Sequence, residues 1–163
     1  SKGASIDTGD AELVTRQLLA DERTKLNWSV PRVLMSKNKV KLLLNLCLLA
    51  DGTIPRGGVI TLTIEGEGND IGMCVESRGP NLRLAHGVPA LLAGTPENGH
   101  VDAHGIQAFY AGLVARDSNM QIDVDVNAER VLISAQPQRK GDSLDSALST
   151  TTDASDNPQV ALG

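Results

Sequence analysis

An α+β two-layer sandwich, with a mostly antiparallel sheet and helices on one face, is the fold class this sequence predicts. Three observations carry the prediction. Some segments repeat apolar residues at helical spacing while others alternate apolar and polar residues, so helices and strands share one chain. The alternating segments come in pairs joined by short turn-forming stretches, which favours antiparallel hairpins. One long segment, Leu42 to Leu49, is apolar around nearly its whole axis, as a helix buried against a sheet must be.

The elements follow in order. Asp7-Thr8-Gly9-Asp10 offers caps to a helix whose Leu13, Val14 and Leu18 hold helical spacing, ending near Asp21. Leu26, Trp28 and Val30 alternate as a short strand that Pro31 limits. Ser36 caps the leucine-rich helix, which runs to about Asp51; strict heptads are absent, so it is not a zipper. Val59 to Glu65 and Ile71 to Glu76 read as a hairpin about Gly66 and Gly68. A short helix over Val88 to Ala93 and a longer one from about Asp102 to Arg116 come next. Met120 to Val126 and Arg130 to Ala135 close the order α-β-α-β-β-α-α-β-β as a second hairpin.

Composition removes several function classes. Fifteen basic residues against 20 acidic ones give a net charge of −5, the wrong sign for a phosphate-backbone binder. Only Trp28, Phe109 and Tyr110 are aromatic, so base-stacking platforms are lacking and the core must be aliphatic. Neither a membrane span nor an export signal is expected, since no apolar run approaches the roughly 18 residues a span needs. Cys47 and Cys74 lie unclustered in apolar segments, as expected of free thiols in a reducing, cytoplasmic setting.

Residues 1–135 are expected to form one domain. From Gln136 onward Ser, Thr and Asp dominate, and residues 136–163 are expected to be a disordered tail that cannot bury enough apolar surface to order itself.

No catalytic constellation emerges from the residues. Gly66, Gly68 and Gly72 have the wrong spacing for a dinucleotide loop and join two strands, so they read as hairpin glycines. His100 and His104 stand four apart, but Val101 occupies the place where a metalloprotease needs Glu, and no third ligand is apparent; no metal is expected. Ser77 lacks a nucleophile-elbow context and neither cysteine has a histidine partner nearby. The residues alone describe an α+β domain suited to binding.

The stretch Leu44-Asn45-Leu46-Cys47-Leu48-Leu49-Ala50, then Ile54-Pro55-Arg56-Gly57-Gly58 and a strand, resembles the N box of histidine-kinase ATPase domains. The resemblance maps the first Asn of that box onto Asn45 and its magnesium-binding Asn onto Leu49, which has no oxygen to offer a hard cation. The adenine-reading Asp falls at Ser77, within Ser77-Arg78-Gly79-Pro80-Asn81. The phosphate-facing glycine box falls on Asp102-Ala103-His104-Gly105, where Gly105 is kept and Asp102 brings negative charge. Three losses at separate sites describe an ATPase-like fold without its nucleotide, so no cofactor is expected.

That combination is similar to the C-terminal domain of the alphaproteobacterial ChpT histidine phosphotransferase family, from about Ile6 to Ala135. Asp21-Glu22-Arg23, Leu26-Asn27-Trp28 and Gln107-Ala108-Phe109-Tyr110 add to the likeness. The resemblance implies a degenerate histidine-kinase-type ATPase domain that does not bind ATP and docks receiver domains. It also implies a homodimeric intact protein whose helical hairpin carries a phosphoacceptor histidine. That histidine passes phosphate from a hybrid histidine kinase to response regulators of a two-component phosphorelay. The hairpin is absent from this chain, and none of His86, His100 and His104 sits on a candidate dimerising helix, so either an N-terminally truncated piece or a stand-alone module is expected. Arg78, Arg83 and Arg116 are the candidate contacts for an acidic receiver. A divergent ATP-binding kinase domain and a non-catalytic dimerisation module are the alternatives.

Overall fold

A computed structural model describes residues 3–19 and 21–139. Among the described residues are two sheets and four α-helices. β1 (Ser5–Asp7) and β3 (Leu34–Ser36) pair antiparallel as a two-stranded ribbon. The main sheet holds β2 (Thr24–Ser29), β4 (Gly58–Glu65), β5 (Gly72–Arg78), β6 (Met120–Val126) and β7 (Val131–Pro137) in the order β2-β4-β5-β7-β6. The helices are α1 (Thr8–Leu18), α2 (Lys37–Gly52), α3 (Val88–Ala93) and α4 (Ile106–Asp117).

The core follows from strand alternation. On β4, β5 and β7 every second residue is sealed inward: Ile60 and Leu62, then Met73 and Val75, then Val131, Ile133 and Ala135. Register brings these into one layer, with Leu62 opposite Val75 and Val75 opposite Ile133. Leu42, Leu43 and Leu46 of α2 cover that layer and are fully buried. The other leucines of α2 are half-buried and Lys37 and Lys41 are exposed, so the helix that reads as apolar all round is sealed on the sheet side and only partly covered, by α1 and α4, on the other.

Helix ends explain the boundaries. Asp7 accepts the Gly9 N–H at 2.6 Å to open α1, and Ser36 accepts the Lys39 N–H at 3.3 Å to open α2. The long C-terminal helix starts at Ile106 rather than near Asp102, because the Asp102 carboxylate folds residues 102–105 into a turn by accepting two amides. α1 stops at Leu18, three residues before the expected end.

Three features depart from the sequence reading. β2 runs parallel to β4, the one parallel pairing among the described strands, because α2 carries the chain over the sheet between them. β1 and β3, at three residues each, are too short to show a period and escape sequence analysis. β7 continues through Pro137, two residues past the expected boundary at Ala135; the tail beyond residue 139 lies outside the described residues. Gly58 has φ 148° and a side chain there would strike the Arg78 carbonyl, so the Gly57-Gly58 junction is where β4 and β5 meet too closely for a Cβ.

Candidate functional site

Each of the positions that resemble nucleotide boxes is engaged internally. Asn45 on α2 donates from Nδ2 to the Lys41 carbonyl at 2.8 Å, while its Oδ1 accepts from Nε2 of Gln107. Its amide therefore ties α2 to the start of α4. Leu49, one turn further along α2, is half-buried and packs against both the main core and the small cluster of Leu92, Ala108 and Ala111. An apolar side chain wedged there gives a cation nothing to bind.

Ser77 is fully buried near the end of β5. Its hydroxyl lies 2.6 Å from that of Thr53, which itself donates to the Ala50 carbonyl at 2.6 Å. The Ser77 hydroxyl also lies 3.5 Å from the Val131 carbonyl, so the two hydroxyls share a closed network with two backbone carbonyls. Gly79 is packed against the Gly57 carbonyl and Ile54, which a Cβ would strike. This glycine serves a backbone crossing.

At the third position Asp102 Oδ1 accepts the N–H groups of His104 at 3.0 Å and Gly105 at 2.9 Å. Backbone N–H groups ahead of a helix are what hold phosphate in nucleotide sites. Here an internal carboxylate has taken them, and the Leu91 side chain fills the space that a Cβ on Gly105 would need.

The three candidate arginines have separate surroundings. Arg78 Nε donates to Glu76 at 2.9 Å and Nη1 stands 3.9 Å from Glu129. Glu76 holds the Arg78 guanidinium above its ordinary range, chiefly through that hydrogen bond. Arg116 donates to the Leu92 carbonyl at 2.9 Å, capping α3 while its guanidinium lies against Gly94. Arg83 is exposed and makes no ion pair among the described residues; its backbone N–H is anchored on the Thr53 carbonyl at 2.9 Å.

The histidines fall outside helices. His86 lies in a turn, 3.2 Å from Glu97, and His100 and His104 lie in the loop and turn ahead of α4, so helical i, i+4 spacing does not apply to them. Among the described residues no group of three or more His, Cys, Asp or Glu could hold a metal, and no helix is long and apolar enough to cross a membrane. Cys47 is buried, and burial pushes its thiol up to about 12; Cys74 is half-buried and also raised by desolvation.

Two features were missed from sequence. Thr53 gives no signal because its role exists only once β5 meets the end of α2. The outer face of α4, Ile106, Tyr110 and Leu113, is exposed, and its i, i+4, i+7 spacing could have been found.

Comparison with known proteins places these observations. Residues 8–130 match the family model described as the histidine phosphotransferase C-terminal domain. The protein phosphotransferase ChpT of Brucella abortus (strain 2308) is 38% identical over 136 residues, which is 83% of this chain and 65% of that protein. A solved bacterial phosphotransferase superposes with a TM-score of 0.76 at 37% identity, over 83% of this chain and 66% of that one. The mycobacterial sensor histidine kinase MprB matches at a TM-score of 0.57 and 13% identity, over 83% of this chain and 97% of that one, a likeness of fold alone.

Proposed function

The chain belongs to the histidine phosphotransferase C-terminal domain family, and from that membership we propose that it is the receiver-docking part of a phosphorelay transferase and binds no ATP. The observation that carries the nucleotide-free reading is the internal use of all three box positions. Leu49 is packed into apolar surroundings, Ser77 is sealed on Thr53, and Asp102 has taken the amides that would meet phosphate. A kinase domain needs those groups free and of the opposite chemistry.

The chain spans 65% of the length of its Brucella relative. In this reading the phosphoacceptor histidine stands on a helical hairpin of the intact, homodimeric, cytoplasmic protein. It accepts the phosphoryl group from a kinase receiver aspartate and yields it to the aspartate of a response regulator, with the His–P bond broken as the Asp–P bond forms. The present domain holds the receiver in line for that exchange. His86, His100 and His104 lie off every helix and take no part.

The test is thermal unfolding with ATP, with and without magnesium, beside calorimetric titration with a receiver domain. A ligand at 100 times its dissociation constant stabilises a fold by about 2.7 kcal/mol, a readily measured rise in Tm. No shift at millimolar Mg-ATP, with measurable heat on adding receiver, is the expected result. A magnesium-dependent shift would replace this reading with that of a divergent kinase domain.

A further inference from the structure

We propose that the free edge of β6 takes up an extended peptide of another protein, one whose apolar residues alternate with lysine or arginine. The inference does not rest on the phosphorelay reading. β6 is terminal in the main sheet and, among the described residues, pairs only with β7. Two backbone bonds fix which of its groups look outward. The Asn127 N–H donates to the Arg130 carbonyl at 3.0 Å, and the Gln138 N–H donates to the Asn119 carbonyl at 2.7 Å. Bonded and non-bonded pairs alternate along an antiparallel ladder, so residues 119, 121, 123, 125 and 127 spend their backbone groups on β7. The amides and carbonyls of Ile122 and Val124 are therefore turned to the open edge, as an added strand requires.

The two faces of that edge differ in chemistry. Beside β6, against α3 and α4, lies a groove of about 610 Å³ whose lining includes Leu92, Ala93 and Ala115. Ile122, Val124 and Val126 line it from the strand, and Val126 is 48% exposed. Arg116 also borders the groove, but its guanidinium is already bonded to the Leu92 carbonyl. Asp123 and Asp125 alternate with the apolar residues, so they project from the opposite face, where both are exposed. Across the ladder they meet Ser134 and Leu132, and neither makes an ion pair among the described residues.

The chemistry of the occupant follows from this alternation. A strand laid on the edge sends every second side chain into the apolar groove and the intervening ones past Asp123 and Asp125. Opposite charges side by side on neighbouring strands are favourable and like charges are not, which selects lysine or arginine between the apolar residues. The same acids decide against a second copy, because pairing two β6 edges would oppose carboxylates.

The experiment uses the full chain and blocked synthetic peptides of seven residues, the length of β6, alternating valine with lysine or valine with glutamate. Fluorescence anisotropy reads binding, and hydrogen–deuterium exchange reads the edge. The valine–lysine peptide is expected to bind about tenfold more tightly than the valine–glutamate one. At saturation it should slow exchange of the Ile122 and Val124 amides by about tenfold. The chain carrying Asp123→Lys and Asp125→Lys, both at exposed positions, is expected to reverse the preference and keep its melting temperature. Failure of the valine–lysine peptide to bind, or binding that leaves those two amides unprotected, overturns the proposal. So does a preference that survives the charge reversal. Amides already protected in the free chain overturn it too: protection that grows with protein concentration makes a second copy the occupant, and protection at every concentration makes it the chain beyond residue 139.

Discussion

The Ser77 and Thr53 hydroxyls are hydrogen-bonded across 2.6 Å inside a fully closed part of the fold. Ser77 thus serves as a link between β5 and the end of α2. Placing an aspartate there is expected to damage the fold. Ser77→Asp buries a carboxylate opposite the Thr53 hydroxyl and the Val131 carbonyl and should cost about 2 kcal/mol or more. Ser77→Ala forfeits one hydrogen bond and leaves Thr53 still bonded to Ala50, costing about 1 kcal/mol. Urea unfolding of the three chains checks the ranking. An aspartate variant as stable as the parent would show that the pocket is open after all.

Arg83 and Arg116, both taken from the sequence as receiver contacts, are expected to separate under mutation. Arg116 caps α3 through the Leu92 carbonyl and is packed under Gly94, so Arg116→Ala should lower stability by about 1 kcal/mol. Arg83 projects from an exposed loop with no ion-pair partner among the described residues, so Arg83→Glu should leave the melting temperature unchanged. Under the docking proposal that reversal weakens receiver binding roughly tenfold, about 1.4 kcal/mol. Calorimetry with a receiver domain, at two salt concentrations, distinguishes a lost contact from a general change in surface charge.

What could be read from the sequence was whatever had a period or a local turn. α2 and the β4–β5 and β6–β7 hairpins repeat their pattern over enough residues to be recognised, and α3 is placed over Val88–Ala93 as found. The parallel placement of β2 was hidden because alternation reports burial and carries no direction. The ribbon of β1 and β3 was hidden because three residues cannot show a period. At the site, Leu49, Ser77 and Asp102 were picked out by the resemblance, but their partners were not. Thr53 and the amides ahead of α4 acquire those roles only through tertiary contact. The arginines had the same limitation, since nothing local to Arg116 announces that Leu92 is its acceptor.

Glu76 joins two arginines from different parts of the chain and should leave a pH signature. Its Oε1 accepts from Arg78 Nε at 2.9 Å, and its Oε2 lies 3.4 Å from Arg130 Nη1, just before β7. The Arg78 hydrogen bond first, and then the charges of Arg78 and Arg130, hold its carboxyl below the usual value of 4.5. A depressed folded pKa means that the unfolded chain binds the proton more readily. The stabilisation is therefore fully present above pH 4.5 and is lost as pH falls from there through the folded value. With both arginines partly solvated, the contribution is no more than about 1 kcal/mol. Glu76→Gln should thus be less stable than the parent at pH 7, and the gap should close as the pH falls below 4.5. The difference between the denaturation midpoints of the two chains, followed against pH, reports the charge at position 76. A gap that stays constant down to pH 3 would mean that the ion pairs contribute nothing and Glu76 acts through its packing alone.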